Sequence, residues 1–459
     1  MFGRKNRIIT LLAIVFSILF FLCGALVSLH RYWQFDSWYY DFGIFNQAIW
    51  SVSRFQIPII DHFIVPGKII FADHFSPSIF LLSPLFWITD RSEILLIAQA
   101  FFVALSGLIL YFVGYEVLKD RLSSLLIMTS YFLFVGLQNA VITDFHEVVI
   151  MTPFLSALYF FYMTKRKRLF ILFFLILLGF KESMFTLGLG LSFYIFFARK
   201  EWRRIVLFTF FFSIFWAIAT TKFIIPFFSH QPYYYTPQTS ITTVLADSKL
   251  KITTLLFSFG TFLFLPLGTL LLYPTYMIHF ATRFFSDAST RWGLGLHYSA
   301  EIAPTFVFGS LLTLHKLKEL FSIRFIRIVS FFVMLISLYI FRVALHGPFL
   351  LVFNPVFYQH TKDFNYLEEI IKKVPQDASV AAQNNLALRF YKQQSFILTE
   401  SYTRNNPDYI VLDMRPGQNP NNFLGIKDEK KLFEKIKLDK NYIPYYQKGD
   451  QYIFKRKSI

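Results

Sequence analysis

The sequence predicts an α-helical polytopic membrane protein that ends in a small C-terminal α/β soluble domain. Three observations carry this. Hydrophobic residues make up 55% of the 459 and charged residues only 16%, where soluble domains hold about 45–50% and about 25%. Several apolar runs approach the roughly 20 residues that cross a bilayer as a helix. Basic residues gather in short clusters between those runs, the positive-inside pattern. The sixty-one phenylalanines suit lipid-facing and helix-packing surfaces and would make a soluble surface aggregate.

The formal charge of +17 raises the question of nucleic acid. Residues 346–459 hold 17 Lys/Arg against 12 Asp/Glu, a net +5, which leaves +12 for the membrane body. No basic stripe with interleaved stacking aromatics stands out, so nucleic acid is not an expected partner. The single Cys23 excludes an intrachain disulfide and a cysteine metal cluster. The apolar run Ile8–Val27 is longer than a signal-peptide core and shows no clear cleavage site, which favours an uncleaved first span.

Arg4, Lys5 and Arg7 place the N-terminus in the cytoplasm, so a span over 8–29 exits to an outer loop, 30–92. Within it, 75–90 reads as a re-entrant or interfacial helix, with Trp87 suited to the headgroup zone. Residues 93–118 return inward to Lys119-Asp-Arg121, 122–139 go out again, and 147–163 come back to Lys165-Arg-Lys-Arg168. The next basic cluster, Arg199-Lys-Glu-Trp-Arg-Arg204, requires an even number of crossings between the two. Residues 169–198 therefore form a hairpin with Lys181-Glu182 at its apex. At roughly 1.5 Å per residue each arm barely crosses the core, which calls for a thinned or shielded bilayer.

Span 205–228 leads out to His230-Gln-Pro-Tyr-Tyr-Tyr-Thr-Pro237. Residues 252–281, broken at Pro266 and Pro274, form either a bent span or a second hairpin. The hairpin agrees with a cytoplasmic cluster from Lys316 to Arg327, entered by span 297–314 and left by span 325–345. The count comes to about eleven crossings. The division is thus a transmembrane domain, 1–345, and an extracytoplasmic α/β domain, 346–459. In the latter, Ser379–Ala382, Tyr409–Asp413 and Tyr452–Phe454 read as strands, with polar helices over Asn365–Lys373 and Glu429–Lys437.

Ionisable groups at membrane depth are costly and by default suggest function. Asp36 and Asp41, with Asn46 and Gln47 following, lie just after the first span. Asp41 could act as a general base, hold a divalent cation with Asp36, or cap the helix over Phe45–Trp50. Asp73 and His74 could bind phosphate or metal, or Asp73 or Ser76 could cap the helix near Pro77. Asp144, His146 and Glu147 offer three ionisable groups at a span entrance. Lys181 and Glu182 sit where a lipid phosphate could reach the lysine, which could instead snorkel to water. Arg291 and His297 could contact pyrophosphate, unless Trp292 and Tyr298 simply anchor the interface. The charge pattern puts all five groups on the outer side, which favours one shared site.

From Tyr40-Asp-Phe-Gly-Ile-Phe-Asn-Gln-Ala-Ile-Trp50 the chain resembles the predicted membrane protein family known as domain of unknown function 2079. The resemblance continues through Asp73-His-Phe-Ser-Pro77, Asp144-Phe-His-Glu147, Lys181-Glu182 and His297-Tyr298. It reaches Asp377-Ala-Ser-Val-Ala-Ala-Gln-Asn384 and Pro407-Asp-Tyr-Ile-Val-Leu-Asp413. Its layout is similar to that of the GT-C superfamily of glycosyltransferases, in which a large first outer loop carries a catalytic acid. The resemblance implies a polyprenyl-phosphate sugar donor and gives Asp41 the loop-one acid's role. The spacing of Asp36 and Asp41 departs from the Asp-x-Asp or Glu-x-Asp of metal-holding members. A divalent cation, magnesium or manganese, therefore stays open.

These readings lead to an expected enzyme of the cell membrane that moves a sugar to an acceptor on the outer face. Asp41 is its expected catalytic residue. Asp36, Asn46, Gln47, Asp73, His74, Asp144, His146, Glu147, Lys181, Glu182, Arg291, His297 and Tyr298 are expected to bind substrate. A transporter or flippase for an anionic or lipid-linked substrate, or a non-enzymatic assembly factor, is the alternative.

Overall fold

The structure is a computed structural model and describes residues 4–61, 68–235, 241–416, 420 and 425–457. Outer-loop residues 62–67, Thr236-Pro237 and the side chains of Arg4 and Lys5 lie outside the described residues.

The first helix, Arg4–Trp33, has 30 residues, about 45 Å at 1.5 Å each. Ile8, Leu11, Val15, Ile18, Leu22 and Leu26 lie exposed along it, while Ala13, Phe20 and Val27 face inward. Such an apolar stripe is unfavourable in water and is satisfied by lipid. Leu207, Phe211, Phe215 and Ile218 repeat the pattern on one later helix, and Phe325, Ile328, Phe332 and Leu335 on another.

Among the described residues, four helices are long and apolar enough to cross a membrane alone: Asn6–Trp33, Glu93–Leu118, Lys200–Ser229 and Ile323–Ala344. Arg121–Leu133 and Val135–Ile142, bent by 53°, add a fifth if counted as one broken span. The expectation of about eleven crossings goes beyond these. Its remaining crossings fall on shorter elements such as Glu147–Met163 and Glu182–Ala198.

Both expected hairpins are present. Helices Lys167–Leu178 and Phe185–Ala198 are joined at their basic end, where Lys167 Nζ donates to Glu201 O at 2.9 Å. In the second, Ser248–Gly260 and Tyr273–Phe284 are separated by a reversal with Leu263 and Phe264 at φ 51° and 56°. Both helices meet one loop. Thr254 Oγ1 donates to Trp292 O and Arg283 Nη2 to Gly293 O. The segment 75–90 forms a 3₁₀ turn, Pro77–Leu82, and a short helix, Leu85–Ile88. There the exposed Trp87 donates from its indole to Ser53 O.

The basic clusters collect at one end of the bundle. Arg327 pairs with Asp120 at 2.6 Å, Lys318 donates to Leu118 O, and Arg121 reaches Thr10. Arg199 donates to Tyr162 O.

The C-terminal part carries a five-stranded mixed sheet in the order β2-β1-β3-β5-β4. Its strands are β1 (Val380–Ala382), β2 (Ser395–Ile397), β3 (Tyr409–Asp413), β4 (Tyr442–Lys448) and β5 (Gln451–Arg456). β1 runs parallel to β2 and to the central β3, and β5 is antiparallel to β3 and β4. β2 and β4 add to the three strands expected. Ala381, Ile410, Leu412 and Phe454 on one face pack against Leu432 and Ile436 of helix Glu429–Leu438. Val380, Ala382, Val411 and Ile453 on the other face join a core continuous with the helical body. That continuity seats the sheet firmly against the body.

Candidate active site

A single π-helical turn, Tyr39–Gly43, links the first helix region to helix Ile44–Ser53 and carries Asp41. Its backbone is held from two sides. Trp38 N–H donates to the Asp144 carboxylate at 3.1 Å and Tyr40 N–H to Asn384 Oδ1 at 3.0 Å. Gly43 is required by close approach, because a Cβ there would meet the Tyr39 ring at 2.5 Å. The helix-cap alternative for Asp41 is not realised: Gly43 occupies the cap position and no side chain caps the helix. Ser76 likewise holds the cap position before Pro77 without a side-chain cap.

Asp41 lines a cavity of about 550 Å³ together with His74, His146, Lys181, Arg291 and His297. All five sequence clusters therefore contribute to one space. A second cavity of about 370 Å³ shares His74, Lys181, Tyr235, Arg291 and Tyr298 as its wall. It continues past Phe185, Ala217 and Lys222, between helix Phe185–Ala198 and the long helix that follows.

The charged groups are paired in layers. Glu147 is fully buried, with Lys181 Nζ 2.8 Å from one carboxylate oxygen and His146 Nδ1 2.6 Å from the other. The His146 ring stacks on His297 with centroids 3.5 Å apart. His74 Nδ1 lies 2.8 Å from Glu182 Oε1, which also accepts from Tyr233 Oη at 2.7 Å. Tyr235 Oη donates to Asp73 at 2.5 Å, and its ring stacks on His74 at 4.5 Å. Lys181 thus does not snorkel. Trp292 is buried, donating to Ser286 O, and is no interfacial anchor.

Arg291 stands apart. Among the described residues it has no carboxylate partner within ion-pair distance, and it faces both cavities between Tyr235 and Tyr298. A planar guanidinium so placed suits an oxyanion such as phosphate, two of whose oxygens it can bind at once. Burial pushes the Asp41 carboxyl above the usual carboxylate range, with His146 opposing. For His74, burial acts downward, but Asp73 and Glu182 outweigh it and hold the imidazole above its ordinary value.

Other residues expected at the site serve it from outside the cavities. Asp36 pairs with Arg31 at 2.8 Å and is not among the residues that line the cavity with Asp41. Asn46 is buried and donates to Ser92 Oγ. Gln47 accepts from Tyr39 Oη and reaches Gln393 O at 3.5 Å. Asp144 holds the turn, and Glu147 lies beneath the cavity floor. Asp73, Glu182 and Tyr298 remain on cavity walls. No group of three or more His, Cys, Asp or Glu among the described residues is placed to hold a metal ion. Sequence reading missed Tyr233, Tyr235, Lys222 and Asn384. The tyrosine run beside a span end was the only local signal among these.

Fold and site together define a mainly helical membrane protein with a cavity lined by ionisable groups. The structure is similar to that of ArnT from Cupriavidus metallidurans, solved bound to undecaprenyl phosphate, with a TM-score of 0.54. The match covers 95% of this chain and 97% of that one at 10% identity, a likeness of fold. The chain belongs to the family described as Predicted membrane protein (DUF2079), which it matches over residues 31–453. No curated protein matches the sequence.

Proposed function

We propose that the protein is a glycosyltransferase that moves a sugar from a polyprenyl-phosphate donor to an acceptor hydroxyl. The reaction takes place at the end of the bundle opposite the basic clusters. On the positive-inside rule that end is the outer face of the cell membrane, with the N-terminus cytoplasmic and the C-terminal domain extracytoplasmic. The observation that carries the reading is that Asp41 and Arg291 line one cavity, beside a second cavity that Phe185 and Ala217 help to line.

Asp41 takes the proton of the acceptor hydroxyl as its oxygen attacks the anomeric carbon. The bond from that carbon to the phosphate oxygen breaks, and its electron pair leaves with the polyprenyl phosphate. The configuration inverts because attack and departure occur on opposite faces. Arg291 and Lys181 stabilise the negative charge that develops on the leaving phosphate. The raised Asp41 carboxyl is a stronger base than an exposed aspartate. The second cavity takes the first isoprene units past Phe185 and Ala217, with Lys222 at its wall. A scaffold would need no such constellation of Asp, His, Lys and Arg.

The test uses purified protein in proteoliposomes with radiolabelled sugar-phospho-undecaprenols and an envelope extract as acceptor. The reading expects label to leave the lipid and undecaprenyl phosphate to accumulate. Movement of the labelled lipid between leaflets without sugar release would instead support transport.

A further inference from the structure

The C-terminal sheet has a feature that usually supplies a ligand site. In open sheets with parallel strands, ligands bind beyond the carboxyl ends of the strands where the strand order reverses. Here the order β2-β1-β3 places that point beside the end of β1, followed by Gln383, Asn384 and Asn385. The space is filled by the protein itself. Asn384 Oδ1 accepts from Tyr40 N–H, and Asn385 Nδ2 reaches Phe35 O at 3.5 Å. Ile397, at the end of β2, donates its N–H to Asp61 at 2.8 Å. Arg389 donates to Tyr32 O and lies 3.5 Å from the centre of the Tyr32 ring.

These contacts bracket the turn that carries Asp41. We propose that the C-terminal domain acts as a positioning element for this turn, and that Asn384 is the residue through which it acts. The proposal rests on the reading of Asp41 as the base. Asn384 is buried and touches the amide immediately before Asp41, while Asp144 of the helical body holds the amide of Trp38. One amide is thus fixed by the body and the next but one by the C-terminal domain. Movement of either support rotates the Asp41 carboxylate relative to Arg291. A shift of about 1 Å at a reacting group lowers turnover by about 100-fold.

The experiment compares wild-type, Asn384→Ala and Asn384→Asp full-length protein in detergent by hydrogen–deuterium exchange and by sugar transfer. In Asn384→Ala the Tyr40 amide is expected to exchange at least about tenfold faster, as expected for local opening. The Trp38 amide and helix Glu93–Leu118 should stay unchanged. Turnover should fall about 10- to 100-fold with KM kept within about twofold. Asn384→Asp keeps an acceptor oxygen and should restore Tyr40 protection and most of the turnover. Unchanged Tyr40 exchange in Asn384→Ala, or faster exchange throughout the fold, overturns the proposal. So does failure of Asn384→Asp to restore protection. Asp41→Asn is assayed in parallel. Full activity in that variant refutes the base assignment, whereas the exchange data still decide whether Asn384 holds the turn.

Discussion

Lys181 Nζ lies 2.8 Å from Glu147 Oε1, and the lysine is nearly as buried as the fully enclosed glutamate. Lys181 lines the cavity that Asp41 also lines, and Glu147 holds it from beneath, so the pair's integrity sets the shape of the site. Removing one partner of a buried ion pair leaves an uncompensated charge, at a cost of about 3–5 kcal/mol. Lys181→Met and Glu147→Gln should each lower thermal stability in detergent by an amount of that order. The double variant should lose less than the sum, and strictly additive losses would mean that the pair does not interact.

Arg291 lines both cavities and has no carboxylate partner among the described residues. Arg291→Ala should weaken binding of undecaprenyl phosphate, measured by native mass spectrometry, by about 10- to 100-fold, as for loss of a charge-assisted hydrogen bond. Arg291→Lys should recover only part of it, because an ammonium lacks the bidentate fork. Unchanged affinity in Arg291→Ala would remove this residue from the phosphate site.

The pH profile follows from Asp41. Its carboxyl is pushed upward by burial, and only the ionised form is a base. Turnover should therefore rise with pH through a midpoint above the ordinary aspartate value of about 4. His146 opposes the upward shift. His146→Gln should move the acid limb to higher pH, and a limb that stays in place would separate the two residues electrostatically.

Gly43 tests the turn itself. Alanine there would bring a methyl group to 2.5 Å from the Tyr39 ring, so the ring or the turn has to move. Gly43→Ala should reduce turnover by about tenfold or more while leaving undecaprenyl phosphate binding intact. Wild-type turnover would show that the turn tolerates displacement.

The helical body, both hairpins and three of the five strands were legible because hydropathy, basic clusters and alternation are local signals. The five polar clusters were legible for the same reason, since a charged residue beside an apolar run is conspicuous. Their separate duties were not. Asp36 and Asp41 look alike in sequence, yet one pairs with Arg31 and the other faces the cavity. Asp144 reads as a pocket group and instead fixes the Trp38 amide. Asn384 sits in a soluble-looking segment, and only tertiary docking brings it to Tyr40. Span number was hardest to read: four helices, or five with the bent pair, are long and apolar enough to cross among the described residues, against the roughly eleven expected.

The most direct measurement is transfer of radiolabelled sugar from phospho-undecaprenol by Asp41→Asn protein, alongside its binding of undecaprenyl phosphate. If Asp41 is the base at a phosphate-binding site, transfer falls by about 100-fold or more and lipid-phosphate binding stays near wild type. Wild-type transfer by Asp41→Asn would contradict the central claim.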